Sequence, residues 1–140
     1  MANNPQKSYE VCNAEANAAG HLMDGGYLRY FDGAVPVTAN ASLGSAVLMA
    51  ELVFSGTAFQ DATNGAATAN ALSPATNAKA TGDPTFFRTY KADGTSVVLQ
   101  GTIGQSGCDI NIPKNGSDPV ITIGVNVACD SFVYAVPRGA

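Results

Sequence analysis

Along the chain the spacing of apolar residues changes period once, at Asp24-Gly25-Gly26, and the change divides a helical start from a β-patterned remainder. In residues 13–23, NAEANAAGHLM, alanine is dense and Ala14, Ala18 and Leu22 recur at helical spacing, which predicts one short helix closed by those glycines. Gly20 weakens it, since glycine loses the most backbone freedom on ordering. Residues 1–12 are polar, contain Pro5 and show no period, which predicts an N-terminal arm ahead of one domain over 13–140.

Beyond Gly26 the pattern has period two. Residues 27–31 set Tyr27, Arg29 and Phe31 against Leu28 and Tyr30, and residues 47–54 set Leu48, Ala50, Leu52 and Phe54 against Val47, Met49, Glu51 and Val53. Helix is the rival over 47–54, but the run is short and ends in Val-Phe-Ser-Gly, which favours a strand. Weaker runs at 58–59 and 66–72 flank the turn signal Asn64-Gly65. Residues 86–91 and 97–99 face each other across Asp93-Gly94, which predicts a two-residue hairpin turn with positive backbone angles. Residues 108–112 form a further run stopped by Pro113, and 120–127 and 131–136 alternate strictly. The breaker-rich segments 34–45 and 73–84 read as long connections.

About eight short strands at turn spacings of about ten residues are the signature of a sandwich or barrel. The expected fold is therefore all-β, a jelly-roll or Greek-key β-sandwich with one short N-terminal helix. Parallel α/β architectures are disfavoured because each parallel crossover normally needs its own helix. Phe87, Leu99, Ile110, Ile123 and Val133 are the expected inward positions of separate strands.

Composition narrows the partners. At 140 residues the chain is long enough to bury roughly two thirds of the surface its unfolded form exposes. Only 13% of residues are charged, so the surface is solvated by small neutral polar groups that a partner can cover with little ionic desolvation. The net charge is −4, and Lys7, Arg29, Lys79, Arg88, Lys91, Lys114 and Arg138 are scattered, which argues against nucleic acid. The longest apolar runs fall well short of the roughly 20 residues of a membrane helix, and the start MANNPQKSYEV has no apolar secretion core, so synthesis in the cytoplasm and no membrane partner are expected.

The search for chemistry returns structural roles. His21 is the single imidazole and has no nucleophile at a telling spacing, so no Ser-His or Cys-His site is expected. Cys12, Cys108 and Cys129 match no zinc spacing and are expected to be reduced, metal-free thiols. The aspartates sit mostly beside Gly, Pro or Ser, where they cap turns. Gly101-Thr102-Ile103-Gly104 lacks the Gly-Lys-Ser/Thr of a phosphate loop and reads as a turn or bulge. Asn40 and Asn115 open glycosylation-like triplets that are common by chance. Tyr9, Tyr27, Tyr30, Tyr90, Phe132 and Tyr134 could stack sugars, but as strand residues they more naturally pack a core. No catalytic, cofactor or metal residue is expected, and the chain reads as a structural or binding module.

Taken in order, GGYLRYFDG (25–33), LMAELVFSGTAF (48–59), AATANAL (66–72), FFRTYKADGT (86–95) and LQGTIGQSGCDINI (99–112) resemble the cement, or decoration, proteins of tailed-bacteriophage capsids, those of Bordetella-type podophages above all. The resemblance implies a non-enzymatic jelly-roll virion protein on the outer surface of an icosahedral shell, tying neighbouring major capsid subunits together. The major capsid protein is then the expected partner, with a second copy of the chain as a further one. The alternative is a carbohydrate- or receptor-binding sandwich of a phage fibre or tail. A cupin-like enzyme is disfavoured because such metal sites use several histidines.

Overall fold

The computed structural model describes residues 5–138. It is mostly β, with one helix, α1 (Tyr9–Leu22), and seven strands among the described residues: β1 (Tyr27–Asp32), β2 (Val47–Val53), β3 (Ala66–Thr68), β4 (Phe86–Tyr90), β5 (Val97–Gly104), β6 (Ile110–Asn111) and β7 (Val133–Ala135). A five-stranded sheet has the order β2-β1-β4-β5-β6, and β3 pairs with β7 in a second, two-stranded sheet. The pairs β1–β2, β1–β4, β4–β5 and β3–β7 are antiparallel.

The helix starts earlier than its sequence period suggests and turns a different face inward. Ser8 caps it by accepting from the Val11 amide at 3.2 Å, so residues 9–12 of the expected arm are helical; residues 1–4 lie outside the described residues. Cys12, Ala16 and Gly20 form the buried stripe, whereas Ala14, Ala18 and Leu22 are exposed. The buried stripe is made of small residues because the helix lies close on its neighbour: a Cβ at Gly20 would stand 3.1 Å from Phe59 Cβ. Asn13 and Asn17, one turn apart, accept from the Gly65 and Ala62 amides at 2.7 and 2.8 Å and hold the turn before β3. The chain before the helix pairs with the other terminus, Lys7 N–H donating to Arg138 C=O at 2.7 Å. Deleting residues 1–11 is therefore expected to destabilise the fold by at least about 1 kcal/mol, the worth of the cap alone, measured by urea unfolding. A variant as stable as the full chain would show that this segment is ornamental.

The main core lies between one face of the large sheet and the layer formed by α1, β3, β7 and the connecting segments. Met23, Leu28, Tyr30, Met49, Leu52, Phe54, Phe59, Phe87, Ile121 and Phe132 meet there. The opposite face carries a second cluster, Phe31, Phe86 and Tyr90, with the Phe31 and Phe86 rings stacked at 5.1 Å and Leu43 and Ala46 of the 33–46 connection against them. Strand β4 is consequently buried on both faces, while its alternation of Phe87 and Thr89 against Phe86, Arg88 and Tyr90 keeps the two clusters apart.

Several expectations are corrected. The hairpin after β4 is not a two-residue turn: residues 91–96 form the connection, only Gly94 takes a positive φ (74°), and the register slips between Thr89 and Tyr90. Asn64-Gly65 is the two-residue turn with both angles positive, 52° and 81°. The 101–104 segment is not a turn but the end of β5, and Gly101 is there because a Cβ would come within 2.5 Å of the Phe87 ring. β6 is parallel to β5, with residues 105–109 carrying the chain round between them. Residues 58–59 and 120–127 form isolated bridges rather than strands.

Of the expected inward residues Phe87 is buried, and Leu99 and Ile110 are half-buried against the core, but Ile123 is 62% exposed and Val133 53% exposed. Ile121 and Phe132 take their places. A turn in which Val125 N–H donates to Thr122 C=O, with Gly124 at φ 89°, breaks the first run. In β7 the parity is displaced by one residue, which exchanges the faces of the whole strand.

Candidate interaction surfaces

The outer face of the large sheet carries a polar row across four strands, placed by register: Glu51 on β2 faces Arg29 on β1, Arg29 faces Arg88 on β4, and Arg88 faces Gln100 on β5. Two arginines directly opposite would repel, and the structure separates their environments. Arg29 donates to Glu51 at 2.7 Å and to Gly94 C=O at 2.7 Å, and its guanidinium lies 5.0 Å from the Tyr27 ring and 4.5 Å from the Tyr90 ring. Arg88, 4% exposed, donates to Gln100 Oε1 at 2.8 Å and to the carbonyls of Ala41 and Thr38 at 2.6 and 3.3 Å. Among the described residues it forms no ion pair, so carbonyl dipoles alone solvate its charge. Gln100 completes the clasp by donating to Pro36 C=O at 2.8 Å. The pair Arg88–Gln100 thus fastens the 34–46 connection over the sheet, and leaves Val37 at its tip 96% exposed.

On the side of the molecule away from β2, a groove runs between the β6 region and the segment leading into β7. One part, about 540 Å³, is bordered by Asp109–Pro113 and residues 125–131; the next, about 370 Å³, has Phe87, Leu99, Phe132 and Tyr134 in its walls. Tyr30 lies in the wall of the first part, and the Cys129 thiol beside it donates to Ser131 C=O at 3.4 Å. Burial raises the pKa of both groups, that of the Tyr30 hydroxyl well above the ordinary tyrosine value, and so favours their neutral forms.

Residues singled out by their chemistry fall into structural places. His21 is exposed and lies 3.3 Å from Asp24, whose other oxygen accepts from the Ala58 amide at 2.8 Å. Asp83 accepts from Lys114 at 2.6 Å and from the Val120 amide at 2.9 Å, contacts that lower its pKa, and Asp109 accepts from the Thr102 amide at 2.9 Å. The Cys12 thiol is buried, Cys108 and Cys129 are half-buried, and all three are free. Asn40 and Asn115 are exposed. No three His, Cys, Asp or Glu among the described residues are grouped to hold a metal, and no described helix is long and apolar enough to cross a membrane. The Arg88 clasp and the groove carried no sequence motif; a lone arginine between two aromatic positions of a buried strand was their only trace.

Asp93 is the clearest capping carboxylate. It accepts from the Ser96 hydroxyl at 2.6 Å and from the Ser96 and Thr95 amides at 2.8 Å each, and these bonds hold its pKa down at about 2. Because the folded value lies below the unfolded one, the stabilising effect is present above the ordinary carboxylate range and is lost as pH falls from there through about 2. Asp93→Asn, which keeps an acceptor but not the charge, is expected to melt below the wild type at neutral pH, with the difference closing in acid. A difference independent of pH would show that the charge does not matter.

Compared with protein-family models, with curated proteins and with solved structures, the chain matches none of them.

Proposed function

We propose that the protein is a non-enzymatic cement protein of a tailed-phage capsid, a jelly-roll-type sandwich that binds the outer surface of the shell and bridges neighbouring major capsid subunits. The observation that carries this reading is where the resembling segments lie. Residues 25–33, 48–59, 66–72, 86–95 and 99–112 cover β1, β2 but for its first residue, β3, β4 with most of its following turn, and β5 from Leu99 on with β6, so the likeness follows the framework of the fold rather than scattered loops. The charge-poor surface supports it further, since a broad contact can form without stripping many ions of water. Many copies, each touching more than one subunit, gain from effective concentration, so modest single contacts suffice to resist the pressure of packaged DNA. An acidic chain is better suited to the outside of the shell than to facing DNA.

The sugar-binding alternative asks for open aromatic platforms. Tyr30, Tyr90 and Phe132 are buried, Tyr27 and Tyr134 are half-buried, and the exposed Tyr9 has the Arg138 guanidinium 4.3 Å above its ring. The deciding experiment is binding of purified protein to undecorated capsids, followed by heating of DNA-filled heads. Saturable binding at many sites per shell with a raised DNA-release temperature supports cementing, and no binding to capsids overturns it.

A further inference from the structure

Strand β7 is an edge whose free side opens on a groove. In its pairing with β3 the hydrogen bonds run through Phe132, Tyr134 and Val136: Ala69 N–H donates to Phe132 C=O and Val136 N–H to Gly65 C=O, each at 2.8 Å, with Ala67 opposite Tyr134 between them. In an antiparallel ladder the intervening residues turn their amides and carbonyls the other way. Val133 and Ala135 therefore aim theirs outward, and among the described residues nothing pairs with them. Across the groove, Ile112 N–H donates to Gly104 C=O at 2.8 Å, so parallel alternation turns the Asn111 amide and carbonyl away from β5. The walls between these edges include Phe87, Leu99, Phe132 and Tyr134, and Val133 is exposed at the rim.

An unprotected edge of this kind normally carries a lysine, a proline or a covering loop. Here the edge residues are Val133, Tyr134 and Ala135, and the charged residues bordering the groove are Asp109 and Asp130, with no Lys or Arg among its described lining. A second copy of the chain would bring its own acidic rim to the same place, which disfavours self-pairing.

We propose that this groove is a strand-accepting site: an extended segment of a partner, alternating apolar residues with Lys or Arg, adds to β7 through the backbone of Val133 and Ala135. Its apolar side chains go down onto Phe87, Leu99 and Phe132, and its basic side chains stay up beside Asp109 and Asp130. Main-chain bonds supply affinity and the alternating side chains supply selection, as in other cases of strand addition. The site is defined by its own chemistry and stands whether or not the partner is a capsid subunit.

The test is an NMR titration of the full chain with a short synthetic peptide alternating lysine and valine. Binding is expected with amide shifts centred on Val133, Ala135 and Asn111. A peptide with glutamate in place of lysine is expected to bind at least about tenfold more weakly, and Asp130→Lys to cost the lysine peptide about the same. Val133→Pro removes an outward amide while leaving the β3 ladder in place, and is expected to abolish binding. Because that variant could disturb β7, the lysine peptide methylated on alternate backbone nitrogens is also titrated into the wild type, where loss of binding is the expected result. No binding of the lysine peptide, equal binding of the glutamate or methylated peptide, or shifts confined to another face each overturns the proposal. Concentration-dependent broadening at Val133 and Ala135 without peptide would reassign the edge to a second copy.

Discussion

Replacing Phe132 by alanine is expected to lower the unfolding free energy by about 3–5 kcal/mol in urea, a large part of the stability of a domain this size. Phe132 is 8% exposed and sits at the junction of three aromatic rings, edge-on to Phe54, Phe59 and Phe87 at centroid distances of 6.0, 5.9 and 5.7 Å. Those partners come from the residue after β2, the bridge at Phe59 and β4, so the ring joins the large sheet to the segment that becomes β7. Truncation loses the transfer energy of the ring, the edge-to-face contacts and the packing around the space left behind. Ile123→Ala is the matched control, because Ile123 is 62% exposed and its loss is expected to stay within about 0.5 kcal/mol. A larger loss at Ile123 than at Phe132 would mean that the C-terminal segment is packed in the opposite parity.

Arg88→Met is expected to cost about 2–4 kcal/mol and to free the 34–46 connection. The substitution keeps an unbranched apolar stem but leaves Gln100 Oε1 and the carbonyls of Thr38 and Ala41 without their donor. Hydrogen bonds from a charged donor are worth about 1.5–3 kcal/mol each, but the desolvation of the guanidinium is relieved when it is removed, and the connection can lift to hydrate its carbonyls. The net effect is therefore smaller than the sum. Hydrogen exchange and limited proteolysis should both speed up within residues 34–46, with the strands of the large sheet less affected. Arg88→Lys is expected to restore little, because one ammonium group cannot span the fork that reaches the Gln100 side chain and the 38–41 backbone together. A connection still protected in Arg88→Met would show that Leu43 and Ala46 hold it without the clasp.

Much of the framework was legible where local chemistry and burial agree. β1, β2 and β4 came from alternation of large residues, with the two faces of β1 correctly separated: Leu28 and Tyr30 go to the main core, and Phe31 to the second cluster. Asn64-Gly65 announced its turn because few other residues accept both positive angles. The helix was visible by its alanines, but its inward stripe was not. Ala14 and Ala18 look as buriable as Ala16, and only the approach of Phe59 selects Gly20 and hence Cys12 and Ala16. The candidate surfaces were scarcely legible, since Arg88 and Gln100 are separated from Pro36, Thr38 and Ala41 by tens of residues.

By itself the sequence determined a β-rich chain with one N-terminal helix, the positions of its strongest strands and an Asn-Gly turn, because each of these depends on backbone geometry and on spacing within a few residues. Tertiary structure alone decided that β6 joins β5 in parallel, that residues 120–127 bridge rather than form a strand, that Phe132 and not Val133 enters the core, and that Arg88 is buried beneath a distant connection. The physical reason is that alternation identifies two faces without saying which is covered. That depends on which segments, far apart in the chain, come to lie against them.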